Sequence, residues 1–224
     1  MKINFSHLIQ YFPKYIEGLK LTIQIAAISL VAAFLLGCVI VLLGMVKNRV
    51  VTALVKFYIS FFRGVPILVQ FFLIHYAIPG ITNYAIVLSA VQSGCVTFSL
   101  NSAAYLAESI RGGINGVDSG QYEAAKALGI SHAKVMLYIV VPQALRVVFP
   151  SLINSSITLI KDSAIVSQIG AFDLTRSAYY VSTRTYNSME AFTFSAIFYL
   201  AIILTLTFAA KLIEKQMNRS VSMT

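Results

Sequence analysis

The chain has 224 residues, of which 58% are hydrophobic and only 11% charged, with a mean hydropathy of +0.80. A soluble domain of this length needs far more charge to keep its surface wet, so the composition excludes the soluble classes and leaves a polytopic membrane protein in a single domain, 1–224, which the long uncharged runs below make all-α. The net charge of +9 is read as cationic loops that orient membrane helices and not as a nucleic-acid surface.

Residues Met1 to Lys20 mix Phe5, Leu8, Ile9, Phe12 and Ile16 with Lys2, Lys14, Glu17 and Lys20, which predicts an interfacial amphipathic segment. The run Leu21 to Val46 carries no charge over 26 residues. It is too long for a signal-peptide core and is the first predicted span, 21–46. Lys47, Arg49 and Lys56 mark a basic loop. Span two is placed at 60–79, entering near Pro66, because proline suits a first helical turn. Span three is placed at 84–106, after the turn at Pro79-Gly80. A polar centre, 108–141, follows. Span four, 142–162, is poor on hydropathy, with Pro142, Arg146, Pro150 and Asn154. The stretch Lys161 to Glu190 is read as a polar loop, and 191–211 is a clean last span.

Five spans put the termini on opposite faces. With the N-terminus outside, the inner face receives Lys47, Arg49, Lys56, Arg63, Arg111, Lys126, Lys134, Arg146, Lys211, Lys215 and Arg219. The outer face receives Lys2, Lys14, Lys20, Lys161, Arg176 and Arg184. Eleven against six favours N-out and C-in, with the polar centre cytoplasmic.

That centre contains "VDSGQYEAAKALG", Val117 to Gly129. Asp118 followed by Gln121 fits a capping box, and Glu123 is placed in the first turn, where a carboxylate favours the helix dipole. Gly129 suits the left-handed geometry that ends a helix, and Ser131 can cap a second one. A helix of about two or three turns is marginal alone in water and needs a surface to dock on. Ala124, Ala125 and Ala127 allow close approach, and Tyr122 and Leu128 offer apolar anchors. The segment is either a connector lying on its own spans or a peg for a partner.

The run resembles the cytoplasmic EAA loop in the membrane subunits of ATP-binding-cassette importers. Glu123, Ala124, Ala125, Gly129, Ile139 and Pro142 hold the family spacing, with Val141 where leucine is usual. The blocks "FYISFFRGVPILVQ", "LNSAAYLAESIRGGI" and "PQALRVVFPSLINSSITLIKDSA" resemble the polar-amino-acid branch, over residues 15 to 218. The resemblance implies a type I importer permease with five transmembrane helices in a bacterial cytoplasmic (inner) membrane. It also implies that Tyr122, Glu123, Ala124, Ala125, Leu128 and Gly129 form a coupling helix docking on a separate ATPase subunit. ATP and magnesium would be bound there; the chain lacks the phosphate-cradling GxxxxGK[ST] loop. The other implied partners are a second permease, either another copy or a paralogue, and an extracytoplasmic solute-binding protein meeting the 161–190 stretch.

Polar groups within a bilayer usually face a cavity or another helix. Two clusters qualify: Ser99, Asn101, Ser102 and Tyr105 on span three, and Asn154, Ser155, Ser156 and Thr158 on span four, ending at Lys161 and Asp162. Asn154 and Thr158, four apart, share a helical face. The alternatives are substrate pathway and helix-to-helix glue. In relatives thought to move cationic amino acids, glutamate often follows the asparagine at this point, where this chain has Ser155. A neutral wall favours a neutral polar or sulfur-containing amino acid such as glutamine or cystine. Membrane lipid is the remaining partner. The rival function is an ATP-independent secondary carrier or channel; no nucleophile elbow or metal motif supports an enzyme. No metal site or cofactor is expected in this chain, since Cys38, Cys95 and the scattered His7, His75 and His132 form no ligand spacing.

Overall fold

The computed structural model describes residues 6–219, and every regular element among them is helical. A short 3-10 turn, Ser6–Tyr11, leads into α1, Phe12–Gly44. Pro13 sits in its first turn, where the missing N–H costs nothing. The residues from Phe12 to Lys20 are therefore the opening of one long helix, not a separate interfacial segment. The part of that segment from Met1 to Phe5, including Lys2, lies outside the described residues.

One stripe of α1 is buried: Gly18, Thr22, Ile25, Ala26, Ser29, Ala33 and Gly37, at the three- and four-residue spacing of a single face. Most of these are small, which lets backbones approach in the manner of membrane helices. A Cβ on Gly37 would lie 3.3 Å from Leu106 Cβ and 3.4 Å from the Ala103 carbonyl oxygen. Gly44, seven residues on, meets only Val55 at 3.9 Å.

The expected basic loop after α1 is instead the start of α2, Arg49–Gly64. Asn48 explains the difference: its Oδ1 accepts from the Val50 amide at 2.8 Å and caps the helix. Val50, Leu54 and Phe57 form an exposed apolar face, and the opposite face carries Thr52, Lys56 and Arg63. The chain then bends by 110° into the helical stretch Ile67–Ile81. Proline disfavours helical geometry in the residue before it, and Val65 is extended at φ −97°, ψ 135°. Span two is thus a broken element.

The second half comprises α3, Ile67–Phe72, a π-helical turn, Leu73–Ala77, and α4, Ile78–Ile81. The same sequence of geometries recurs later. After α5, Ala90–Asn115, come α6, Ser119–Ala127, and α7, His132–Val135. A second π turn, Met136–Val140, precedes α8, Val141–Asp162. Each π turn ends two residues before a proline, Pro79 or Pro142. A proline inside a helix removes one hydrogen bond and crowds the carbonyl four residues back. Widening the preceding turn relieves that conflict.

Span three is expected from Tyr84, but α5 begins at Ala90. Asn83 and Tyr84 have positive φ, and Ser89 with Gln92 forms a reciprocal capping box at 3.2 and 2.9 Å. The helix also continues past Leu106 to Asn115. The stretch read as a polar loop, 161–190, is largely helical too. It holds a 3-10 turn, Ser163–Ile169, closed by Gly170 at φ 92°, and α9, Leu174–Thr185. The last helix is α10, Ser188–Arg219.

Helix α5 lies at the centre, packed on α1 and α8, while α9 packs on α10 and α1. Among the described residues, three continuous stretches are long and apolar enough to cross a membrane: Ile9–Gly44, His132–Ile169 and Ser188–Gln216, with the bent pair as a fourth. The fifth expected span falls on α5, which Gln92, Ser93, Asn101, Glu108 and Arg111 make more polar on average than these stretches.

Candidate functional site

The break at residues 63–66 faces α5 and α8 across a cavity of about 680 Å3. From α5 it takes Asn101, Ser102, Tyr105 and Ser109, and from α8 Ser151, Asn154, Ser155, Thr158 and Asp162. The spacing on α8 is three, four, seven and eleven residues from Ser151, which is one helical face. The two polar clusters therefore meet in one chamber. Ser99 and Ser156 stand apart from it, each donating to its own helix, at Cys95 O (2.6 Å) and Leu152 O (2.8 Å). Lys161 is exposed and does not line the chamber, whereas its neighbour Asp162 does.

The break itself is held by two side-chain amides, one of them buried. Gln70 is 1% exposed, and its Nε2 donates to Phe62 O at 3.0 Å and Val65 O at 2.7 Å. Asn101 Nδ2 donates to Phe62 O at 2.8 Å and to Gln70 Oε1 at 3.1 Å. These bonds satisfy carbonyls that the end of α2 would leave orphaned. Asn101 is thus both wall and fastener.

Arg63 figures in the sequence only as an orienting charge, yet it lines the chamber. Its guanidinium lies 5.4 Å from the Tyr105 ring centroid and 3.6 Å from Glu108 Oε2. The wall is therefore not neutral throughout: it carries one cation, Arg63, and one carboxylate, Asp162. Arg63, Pro66, Ser109 and Ser151 are lining residues that the sequence does not single out as such. The two serines are reachable by extending each cluster one helical turn, and Arg63 by noting a charge beside a helix breaker within an apolar run.

On α6 the Asp118 carboxylate caps through the Gly120 amide at 2.8 Å, and no capping box forms, since Gln121 Oε1 accepts from Gln143 Nε2 at 2.7 Å. Glu123 falls beyond the first turn. Ser131 occupies the cap position of α7 without a side-chain bond. The far end matches expectation: Gly129 has φ +71°, with its amide on Lys126 O and that of Ile130 on Ala125 O, both at 3.0 Å. That pair of bonds is the Schellman closure. Ala125 is 3% exposed, and with Tyr122 it packs on Val135, Val140 and Ile114. Glu123, Ala124, Ala127 and Leu128 remain on the free face. The alanine pattern thus divides, one part seating the helix on its own chain and one part left outward.

Across the molecule, α9 is fastened at its start. Asp173, fully buried, accepts from the Thr175 and Arg176 amides at 3.1 and 2.9 Å. Thr22 of α1 accepts from the Leu174 amide at 3.2 Å, and Ser195 of α10 donates to Leu174 O at 3.2 Å. Burial pushes the Asp173 carboxyl up to about 6, against the lowering effect of its hydrogen bonds.

A helical bundle with a broken membrane helix, a polar chamber at the break and a short outward helix defines a membrane permease. Residues 29–219 match the family described as binding-protein-dependent transport system inner membrane component, and the chain belongs to that family. A putative glutamine transport system permease protein of Rickettsia felis is 40% identical over 95% of this chain and 98% of its own length. An arginine transport system permease protein of Bacillus subtilis is 37% identical over 97% of this chain and 99% of its own. Among solved structures, an amino acid ABC transporter crystallised with histidines superposes with a TM-score of 0.89 at 36% identity, covering 96% of this chain and all of that one. The MetNI methionine ABC transporter, at 19% identity and a TM-score of 0.76 over 97% of this chain and 99% of that one, shares the fold.

Proposed function

We propose that this chain is the permease subunit of an ATP-driven importer for an amino acid with an uncharged side chain, glutamine being the leading candidate. The observation that carries the reading is the chamber with one cation and one carboxylate in a wall of amides and hydroxyls. A free amino acid brings one carboxylate and one ammonium. Arg63 and Asp162 match those two charges and leave none for a charged side chain. Asn101, Ser102, Tyr105, Asn154, Ser155 and Thr158 then meet the side chain by hydrogen bonding. The relatives' names agree on amino acids and divide between glutamine and arginine.

In this reading five helices cross the membrane, with α5 as the polar central one and the N-terminus outside. Helix α6 then lies in the cytoplasm, with Glu123, Ala124, Leu128 and Gly129 presented to an ATPase subunit that binds ATP and magnesium, while Tyr122 and Ala125 seat it. A second permease completes the path, and a binding protein delivers substrate on the α9 side. The test is uptake by proteoliposomes holding this chain with its ATPase and binding protein, offered labelled glutamine, cystine, arginine and lysine. ATP-dependent glutamine uptake is expected. Uptake without the ATPase would make the chain a secondary carrier, and exclusive arginine or lysine uptake would overturn the charge-matching argument.

A further inference from the structure

A second opening lies at the end of the bundle where α1 finishes and α2 begins. It is a cleft of about 560 Å3 between α1, α2 and α5. Lys56, Arg63 and Arg111 line it against a single carboxylate, Glu108. That carboxylate is already shared: its Oε2 accepts from Arg111 Nη2 at 2.8 Å and lies 3.6 Å from Arg63. Lys56 has no carboxylate of its own in the lining, and it also borders a neighbouring hollow with Lys47 and Arg49. The cleft is electropositive.

Beside it is an apolar cavity of about 300 Å3 between α1, α5 and the start of α8, walled by residues such as Phe34, Cys38, Leu42, Ile110 and Leu145. The two openings share Val41, Met45 and Ile114, so a cationic mouth and a greasy slot adjoin at one helix end. We propose that together they hold one anionic phospholipid, with its phosphate between Lys56 and Arg111 and an acyl chain in the apolar cavity. A free phosphate would use the mouth and ignore the slot. A lipid of the ordinary annulus needs neither, because it covers convex apolar faces such as Val50, Leu54 and Phe57. Cations at a membrane boundary attract anionic headgroups, and a buried chain adds the hydrophobic share.

The site reaches the coupling segment. Met136 and Val141 line the apolar cavity, and Met136 Sδ accepts from the Tyr122 hydroxyl at 3.8 Å. An acyl chain seated there bears on the turn that carries α6, so the bound lipid governs how firmly that helix is held.

The experiment uses the complete transporter in nanodiscs of phosphatidylcholine alone or of equal parts phosphatidylcholine and phosphatidylglycerol. Lipid retained through purification and ATP hydrolysis are both measured. Removing one cation near a headgroup weakens binding by about fivefold. Lys56→Gln is therefore expected to cut phosphatidylglycerol retention by that order and to flatten its effect on hydrolysis, leaving the rate in phosphatidylcholine unchanged. Leu145→Trp, which fills the slot, is expected to do the same without altering any charge; Lys56→Arg is expected to restore retention. Unchanged retention in Lys56→Gln overturns the proposal, whether or not Leu145→Trp folds. Competition by inorganic phosphate or glycerol 3-phosphate as effective as phosphatidylglycerol would also overturn it, making the mouth a soluble-anion site. Because lipid retention is read on the protein itself, its failure leaves the importer reading intact.

Discussion

Gln70 spans the helix break with one amide, and its two donated bonds end on the carbonyls of Phe62 and Val65. A buried carbonyl stripped of its donor costs about 1–3 kcal/mol. Gln70→Leu preserves the volume roughly and removes the bonds, so it is expected to lower the thermal midpoint of the purified permease and to reduce uptake, since Val65 and Asn101, which Gln70 holds, wall the chamber. A midpoint equal to that of the unsubstituted protein would show that the break is held by packing alone. Asp173 makes a different prediction. Its folded-state pKa, about 6, exceeds the ordinary 3.8, so the native protein binds the proton more tightly than the unfolded chain does. Stability is therefore highest below the unfolded value and falls as pH rises from about 4 through about 6, by roughly 2 kcal/mol across that window. Asp173→Asn keeps an oxygen to cap α9 and removes the charge. The unsubstituted protein is expected to melt lower at pH 7 than at pH 5, and Asp173→Asn to lose most of that difference; parallel pH profiles would refute the assignment.

At the scale of the element, glycines decide two contacts for different reasons. Gly129 is needed for conformation: at φ +71°, with nothing within 4 Å of where a Cβ would stand, its constraint is the left-handed backbone and not space. A β-branched residue resists that geometry strongly. Gly129→Val is expected to leave membrane insertion intact and to uncouple ATP hydrolysis from uptake, measured on the same proteoliposomes; normal transport by that variant would remove the rigid-peg account of α6. Gly18 is needed for space. A Cβ there would meet Ser177 Oγ and stand 2.5 Å from the Asp173 carbonyl oxygen, against backbone that cannot swing aside. Gly18→Ala is expected to push α9 off α1 and to lower the yield of folded permease, with native-like yield counting against that packing. The glycine at position 129 was legible because Asp118 to Gly129 contains its own start and stop. Gly18 was not, because its partner is 155 or more residues away in the chain. Boundaries failed for a related reason: hydropathy does not register the caps at Asn48 and Ser89, so α2 begins earlier and α5 later than the apolar runs suggest.

For the whole molecule, the sequence yielded the two polar faces separately but not their meeting. Spacing along α8 places Asn154 and Thr158 together whatever surrounds them, whereas the bend at Val65-Pro66 decides that Arg63 joins them. One helix break therefore sets the chamber's charge, and that charge is the basis for expecting a neutral side chain. Ser155 lies in the same wall, where the resemblance to cationic-amino-acid permeases places a glutamate. Ser155→Glu adds a second carboxylate with no second cation to balance it. In a low-dielectric wall an unpaired carboxylate is costly until an opposite charge arrives, so the variant favours a substrate that brings one. Ser155→Glu is expected to lower glutamine uptake and to raise the ratio of arginine to glutamine transport by about tenfold or more, the order that about 1.4 kcal/mol of added interaction produces. The measurement is competition between the two labelled amino acids in one proteoliposome preparation. An unchanged ratio, with the variant folded and hydrolysing ATP, would mean that the chamber between α2, α5 and α8 does not read the substrate's side chain.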